Sequence, residues 1–525
     1  MKKIFAILSV VAVFALAGCR NDYLDTDPTD RVSGTTIYSS AENAMTAVNG
    51  LIRLMYTGDW GTGWQPENGG IPAYILVMAL KAEDQLMDDM GSGWFYYDYA
   101  YDTYGDYSGT RGHQYQIWNF FYTLISNANY ILANEATLEG DQNYIDYVLG
   151  QAYAIRSFCY MWLIQTYQQN GGPAGSEYRK LPGVPIYTEP TVAGSEGKGR
   201  GTVQDVYDQA NGDIDKAIAH LKATNLGQIH KSHISLAAAY GLKARHALVQ
   251  QDFATALSAA QEAMKGQALG AWEDVKVVND VSKKNVMWGL AIQTDQAIGS
   301  YDIYSHMDAD SKSTYSAARH LIANWLYNQI PDTDVRKAWW TAPLPEEEWG
   351  EPGKEGGSKR SYCQKKLVYI DAGSSTGDHI LMRTEEMYLI AAEAACELGK
   401  YSDARNYLKA VGELRDSNYD ARLAGFADSK TLNSNTVGNL VTLMDEIFFQ
   451  RRVELWSENP RIFDIQRRGL CFDRNWPGSN HTEMCSAHTS IPRSANFILW
   501  IPKSEFDGNE NMKPEDQNPP QGKGK

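Results

Sequence analysis

Between positions 94 and 107 the chain reads Trp94-Phe95-Tyr96-Tyr97-Asp98-Tyr99-Ala100-Tyr101-Asp102-Thr103-Tyr104-Gly105-Asp106-Tyr107, eight aromatics in fourteen residues. Glycine-rich triplets and pairs, Gly91-Ser92-Gly93 and Ser108-Gly109, flank it. The run has no helical hydrophobic face. If it is extended, Tyr97, Tyr99 and Tyr101 point one way and Asp98 and Asp102 the other, giving an aromatic strip beside a carboxylate strip. That combination suits sugars. Aromatic faces stack on the C–H faces of pyranose rings, phenol and carboxylate oxygens meet ring hydroxyls, and stiff side chains lose little entropy. The same residues could instead pad a loop against helices with their polar tips wet. Trp94 leads the candidate binding residues, followed by Tyr97 and Tyr99, then Tyr96, Asp98 and Tyr101. Tyr301 and Tyr304 are second platform candidates, as is the pair Trp339-Trp340, and all four serve equally well as core aromatics. Trp118 reads as core.

Other residue types offer less. Glu83-Asp84, Asp88-Asp89, Glu346-Glu347-Glu348 and Glu385-Glu386 are adjacent in sequence, which says nothing about two carboxyls facing each other across a glycosidic bond, and they read as solvated faces. Asp98, Asp102 and Asp106 lack calcium-loop spacing. His230-x-x-His233 has no third ligand nearby and no HExxH pattern. No phosphate loop of the GxxxxGK[ST] type occurs. Arg451, Arg452 and Glu454, with Arg461 and Asp464, fit salt bridges within or between helices better than an anion clamp. No catalytic residue, metal or cofactor is assigned.

The chain of 525 residues carries 43% hydrophobic and 11% aromatic residues, ample apolar surface for a large folded domain. A net charge of -16 and a pI near 5.1 have the wrong sign for a nucleic-acid binder. A mean hydropathy of -0.43 argues against a polytopic membrane protein. The six cysteines show no CxxC pair, and Cys471 and Cys485, flanking a Gly/Asn loop, are the one candidate disulfide.

Met1-Lys2-Lys3, the apolar run from Ile4 to Ala17 and Gly18-Cys19 read as an export signal over residues 1–18, too short to span a bilayer. Leu16-Ala17-Gly18-Cys19 is similar to a bacterial lipobox, which implies cleavage before Cys19 and its acylation, a permanent membrane anchor. Residues 19–525 then form one domain, mainly α, as apolar residues at helical spacing recur in Ala44-Val48-Leu51-Ile52-Met55 and elsewhere. Gln251-Asp252-Phe253-x-x-Ala256-Leu257-x-x-Ala260 and Gly399-Lys400-Tyr401-x-x-Ala404 resemble the second helix of a tetratricopeptide unit, scattered rather than arrayed. Thr202 caps a helix with Asp205 in its first turn. Residues 58–72, 168–200, 343–361 and 471–496 read as surface loops, and 507–525 as a mobile tail.

Several blocks, in order, resemble the SusD/RagB family of outer-membrane nutrient-binding lipoproteins. They include Leu24-Asp25-Thr26-Asp27-Pro28, Ala44-x-x-Ala47-Val48-Asn49-Gly50-Leu51, Trp118-Asn119-x-x-Tyr122, Ala152-x-x-Ile155-Arg156-Ser157-Phe158 and Gly183-Val184-Pro185-Ile186. The later half adds Arg383-Thr384-x-x-Met387-Tyr388-Leu389-x-Ala391-Ala392-Glu393-Ala394, Arg451-Arg452-Val453-Glu454-Leu455-Trp456, Arg461-Ile462-Phe463-Asp464 and Leu499-Trp500-Ile501-Pro502. Residues 168–182 are an insertion, and the tail lacks the Gly-Tyr ending of relatives.

The resemblance implies a SusD-like fold of tetratricopeptide-like helical pairs with long ligand-binding loops, an N-terminal part over about 20–220 and a C-terminal part over about 280–525. It implies a non-enzymatic surface protein that captures oligosaccharide and passes it to a SusC-like TonB-dependent transporter, with an aromatic platform in the N-terminal region. Uptake of peptides, as in RagB-type relatives, is the alternative; the Tyr/Trp strip favours glycan.

Overall fold

The computed structural model describes residues 38–520 other than 62, 64, 103–111, 193, 434–436, 486–487 and 490. Cys19, the export signal and the end of the aromatic run from Thr103 to Tyr107 lie outside the described residues.

Helices α1 (Ala41–Leu54), α2 (Ile71–Leu80), α3 (His113–Leu132), α4 (Gln142–Tyr167), α5 (Val203–Ala223), α6 (Leu236–Val249), α7 (Phe253–Met264), α8 (Thr384–Glu397), α9 (Tyr401–Gly412), α10 (Leu443–Glu454) and α11 (Arg461–Arg468) form the scaffold. The mainly α reading of the sequence holds. Side-chain caps start several of them: Ser40 on α1, Asp141 on α4 and Asp252 on α7. At α5 the expected Thr202 cap is a reciprocal box, Thr202 Oγ1 accepting from the Asp205 amide and Asp205 Oδ2 from the Thr202 amide.

α4 packs on α5, α6 on α7 and α8 on α9 as helical pairs. In α7 and α9 the small residues Ala256, Ala260 and Ala404 are fully buried, which lets the paired helices approach closely. α7 also packs on α8, so the two tetratricopeptide-like units, 148 residues apart in sequence at Phe253 and Tyr401, are neighbours in space.

α2 is apolar on nearly every side and runs through the core, ten residues being too few for a membrane span. Among the described residues no helix is long and apolar enough to cross a membrane. Gly70, with φ 73°, opens α2 where any Cβ would collide with the Met55 carbonyl. Helical periodicity gives no sign of two short antiparallel pairs. Strand β1 (Gln85–Met87) pairs with β3 (His320–Ile322), and β2 (Val286–Leu290) pairs with β4 (His379–Arg383).

Charge pairs tie the N-terminal and C-terminal parts together. Glu83 and Asp84, expected on a solvated face, are buried against Arg461 (3.4 Å) and Arg452 (2.5 Å). Glu385 and Glu386, expected likewise, are buried against Arg415 and Arg245. Glu346–Glu348 does stand in solvent. Three further expectations are corrected. The tail is docked as far as Asn518, whose Nδ2 donates to the carbonyls of Tyr167 and Leu499, while Asn509 holds the Lys198 carbonyl. The loop of 168–200 begins inside the protein, Asn170 donating to Gln466 Oε1 and the Gly171 amide to Tyr207. Cys471 and Cys485 are free thiols, Cys485 being turned inward beside Tyr96.

Candidate functional site

The path of the aromatic run is set by its glycines and by two aromatics in the left-handed region. Gly91 (φ 53°) lies where a side chain would meet Ala318, and Gly93 has φ 87°. Phe95 (φ 63°) and Tyr101 (φ 57°) adopt a conformation that costs about 1–2 kcal/mol for such residues and persists only where the surroundings enforce it. They do so here. The Phe95 amide donates to Glu67 Oε2 at 2.9 Å, and its ring sits edge-on to His306. Tyr101 Oη donates to the Lys81 carbonyl.

Between these two residues the chain is not extended. Tyr96–Tyr99 is a single helical turn, so the expected alternation fails, and Tyr96 and Tyr99, three apart, share a face. That face is the core. Tyr96, Asp98, Tyr99 and Tyr101 are buried, with no ring or carboxylate left for a sugar, which corrects their assignment as binding residues. Tyr99 Oη lies 2.8 Å from His481 Nδ1, and the Arg474 guanidinium stands 4.8 Å from the Tyr99 ring and 5.3 Å from that of Tyr101. Arg474 also donates to the carbonyls of Leu80, Ala82 and Tyr99. Asp98 Oδ2 lies 2.6 Å from His113 Nδ1. Burial opposes charging of His113, but the carboxylates of Asp98 and Glu67 overcome it and raise the imidazole to about 9. Lys81, pulled down to about 8 by burial with partial compensation from Asp98, lies 4.6 Å from the Tyr101 ring.

What remains outside is Tyr97, 45% exposed, and Met90, 43% exposed, with Trp94 half-buried between the glycines and the turn. The Tyr97 ring and the Met90 methyl lie side by side over Gly93. The outer rim is held from below: Asp89 Oδ1 accepts from the Met90 and Gly91 amides, and Asp88 pairs with Arg319 (2.8 Å) and Arg360 (3.2 Å). Arg360 in turn lies flat on Trp349, 3.4 Å from the ring centre.

Of the later candidates, Tyr301 is half-buried, its carbonyl closing on Gly69. Tyr304 is buried, its hydroxyl on the Asp378 carbonyl and its ring on His379, so it faces no ligand. Trp339 and Trp340 are core residues. His233 is bonded to Tyr147 and Asn49, and among the described residues no group of three His, Cys, Asp or Glu is placed to hold a metal ion.

Sequence reasoning missed the parts that hold the platform, Glu67, His113, Arg319 and Arg474, which come from four separate segments. Their only sequence signal is the charged or titratable residue itself in an otherwise apolar or glycine-rich stretch.

Comparison with known proteins places this arrangement. A family model described as starch-binding associating with outer membrane matches residues 74–248, and one described as the SusD family matches residues 347–520. SusD-like protein P2 of Formosa agariphila is 22% identical over 98% of this chain and 99% of its own length; SusD-like protein P38 of the same organism is 23% identical over 67% and 72%. The crystal structure of a SusD-like carbohydrate binding protein from Bacteroides vulgatus superposes with a TM-score of 0.74 at 24% identity, covering 91% of this chain and 98% of that one. With residues 74–248 and 347–520 matched in order by two SusD-type family models, the chain belongs to the SusD family, whose fold the solved structure shares.

Proposed function

We propose that this protein is a non-catalytic glycan-binding lipoprotein, a single domain anchored through acylated Cys19, which captures oligosaccharide outside the cell and delivers it to a SusC-like TonB-dependent transporter. The observation that carries the reading is the outward set Trp94, Tyr97 and Met90, mounted on a turn whose inner half is bolted into the core. A rigid aromatic surface pays little entropy when a pyranose ring stacks on it, and its shallowness gives the modest affinity that a protein releasing its cargo requires. The buried carboxylates Glu83, Asp84, Glu385 and Glu386 are each paired with an arginine, which supports binding without hydrolysis. The family's outer-membrane association and the lipobox-like Leu16-Ala17-Gly18-Cys19 support the address.

Native gels cast with a panel of polysaccharides test the proposal on the mature chain. At least one polysaccharide is expected to retard it, with retardation reduced in Trp94→Ala and in Tyr97→Ala, the latter at unchanged thermal stability. No retardation by any polysaccharide, with peptides binding instead, makes the cargo peptide. New reducing ends released from the bound polysaccharide make the protein a hydrolase.

A further inference from the structure

α3 has two unlike faces. Ile117, Phe120, Phe121, Leu124 and Ala128 face the core, and His113 on the same side meets Asp98 beneath the platform. On the opposite face, at helical spacing, stand Tyr115, Trp118, Asn119, Tyr122 and Ser126. This second stripe lines a cleft of about 290 Å³, closed on its other side by Tyr187, Thr191, Ser504 and Glu505. Its volume lies near the lower end of small-molecule clefts, ~300–1,000 Å³.

Its rings are fixed. Trp118 and Tyr122 lie 4.8 Å apart and tilted, Tyr122 stands edge-on to Tyr187 at 5.8 Å, and Tyr167 braces Trp118 from behind at 4.9 Å. The hydroxyl of Tyr122 donates to the Pro185 carbonyl, and Trp118 Nε1 donates to Glu505 Oε2, so neither ring can turn freely. Other polar groups keep capacity to spare. Among the described residues the Tyr115 hydroxyl, Ser126 Oγ and Ser504 Oγ make no hydrogen bond, and Asn119 uses only its Nδ2, on the Trp60 carbonyl. No Lys, Arg or His lines the cleft, and the carboxylate of Glu505 does.

We infer that this cleft is a second binding site, separate from the Trp94–Tyr97 platform, for one residue of a neutral sugar. Fixed aromatic faces beside several unspent hydroxyl and amide groups match a pyranose ring, apolar on its C–H faces and hydroxylated at its edge. Glu505 in the lining, with no cationic side chain among the lining residues, favours a neutral sugar over an anionic one. The platform and the cleft lie on opposite sides of the first turns of α3, so loss of one leaves the other intact.

Calorimetric titration tests this in a Trp94→Ala/Tyr97→Ala background, which removes the platform. The probes are neutral hexasaccharides of glucose, xylose, mannose and galactose, with hexagalacturonate as the anionic control. At least one neutral probe is expected to bind one-to-one, weakened at least tenfold by Tyr115→Ala and abolished by Ser126→Arg, which fills the cleft from a half-buried position. Hexagalacturonate is expected not to bind. No neutral probe binding the platform-less chain overturns the inference, as does binding indifferent to both cleft variants or a preference for hexagalacturonate. Failure of the platform reading shows separately, as gel retardation of the Ser126→Arg chain, whose cleft is filled, left unchanged when Tyr97→Ala is added.

Discussion

The surroundings of Glu454 and those of Tyr97 are both dense with side chains capable of chemistry, yet one is closed and the other open. Glu454 is wholly buried and accepts from Arg383 (2.9 Å), Arg336 (3.1 Å) and Arg415 (3.0 Å). Burial alone would raise its carboxyl, but the guanidiniums hold it well below the usual carboxylate range. Around it Arg415 reaches Glu385, Arg383 reaches Glu458, and Lys366, drawn down to about 8 by burial despite Glu458, completes the network. Every charge there is spent on another charge. In the Tyr97 region the buried pairs, Asp98 with His113 and Asp88 with Arg319, lie underneath, and what they carry is left unpaired for a ligand. Saturated networks build the scaffold, and the proposed platform is an unsaturated surface resting on one.

Acid acts most strongly through the buried histidines, His306 beneath Phe95 included. His233 is depressed to about 4, and His246, His306 and His320 to about 3, by burial before any neighbouring charge. Below about pH 6.5 the unfolded chain takes up protons that these rings refuse, so stability is present above that value and falls with pH. The loss by pH 4 is on the order of several kcal/mol, read from urea midpoints. His113 has the opposite sign: its contribution is present below about 6.5 and is lost as pH rises through about 9. A chain equally stable at pH 4 and 7 would remove the contrast.

Glu454→Ala leaves guanidiniums facing one another without a counter-charge and should cost about 3–5 kcal/mol. A loss below about 1 kcal/mol in chemical denaturation contradicts the closed-network description. Asp98→Asn should cost about 1–3 kcal/mol and lower the His113 titration, followed by NMR, from about 9, since burial is then opposed by Glu67 alone. Tyr97→Ala should weaken glycan affinity about tenfold, ~1.4 kcal/mol, while stability moves by less than about 0.5 kcal/mol. The smallest effect belongs to Glu347→Gln on the exposed acidic turn, within about 0.5 kcal/mol by thermal melting and without influence on binding.

Much of the scaffold was legible. Thr202 and Asp205 announce a helix start because capping needs only neighbours three residues apart, and the Phe253/Ala256 and Tyr401/Ala404 pairs announce packed helices because one face must be small. The aromatic run was legible as a cluster but not in its orientation. Extension of 94–101 is the natural reading of alternating Tyr and Asp, and the left-handed Phe95 that turns the run into a helical turn depends on Glu67 and His306, which local sequence does not contain. Trp118 was read as core, and its burial agrees, but its half-buried neighbours at helical spacing make it the floor of a cleft.

Local patterns by themselves determined the helical class, the family resemblance, the caps and the concentration of aromatics near residue 95, because each depends on residues within a few turns of one another. Tertiary structure alone decided which members of a cluster face water. Glu83 and Asp84 became buried because Arg461 and Arg452 arrive from far along the chain, and Tyr97 became exposed because Tyr96, Asp98 and Tyr99 found partners inside. Burial of a polar group is settled by whether a partner reaches it, and those partners are distant in sequence.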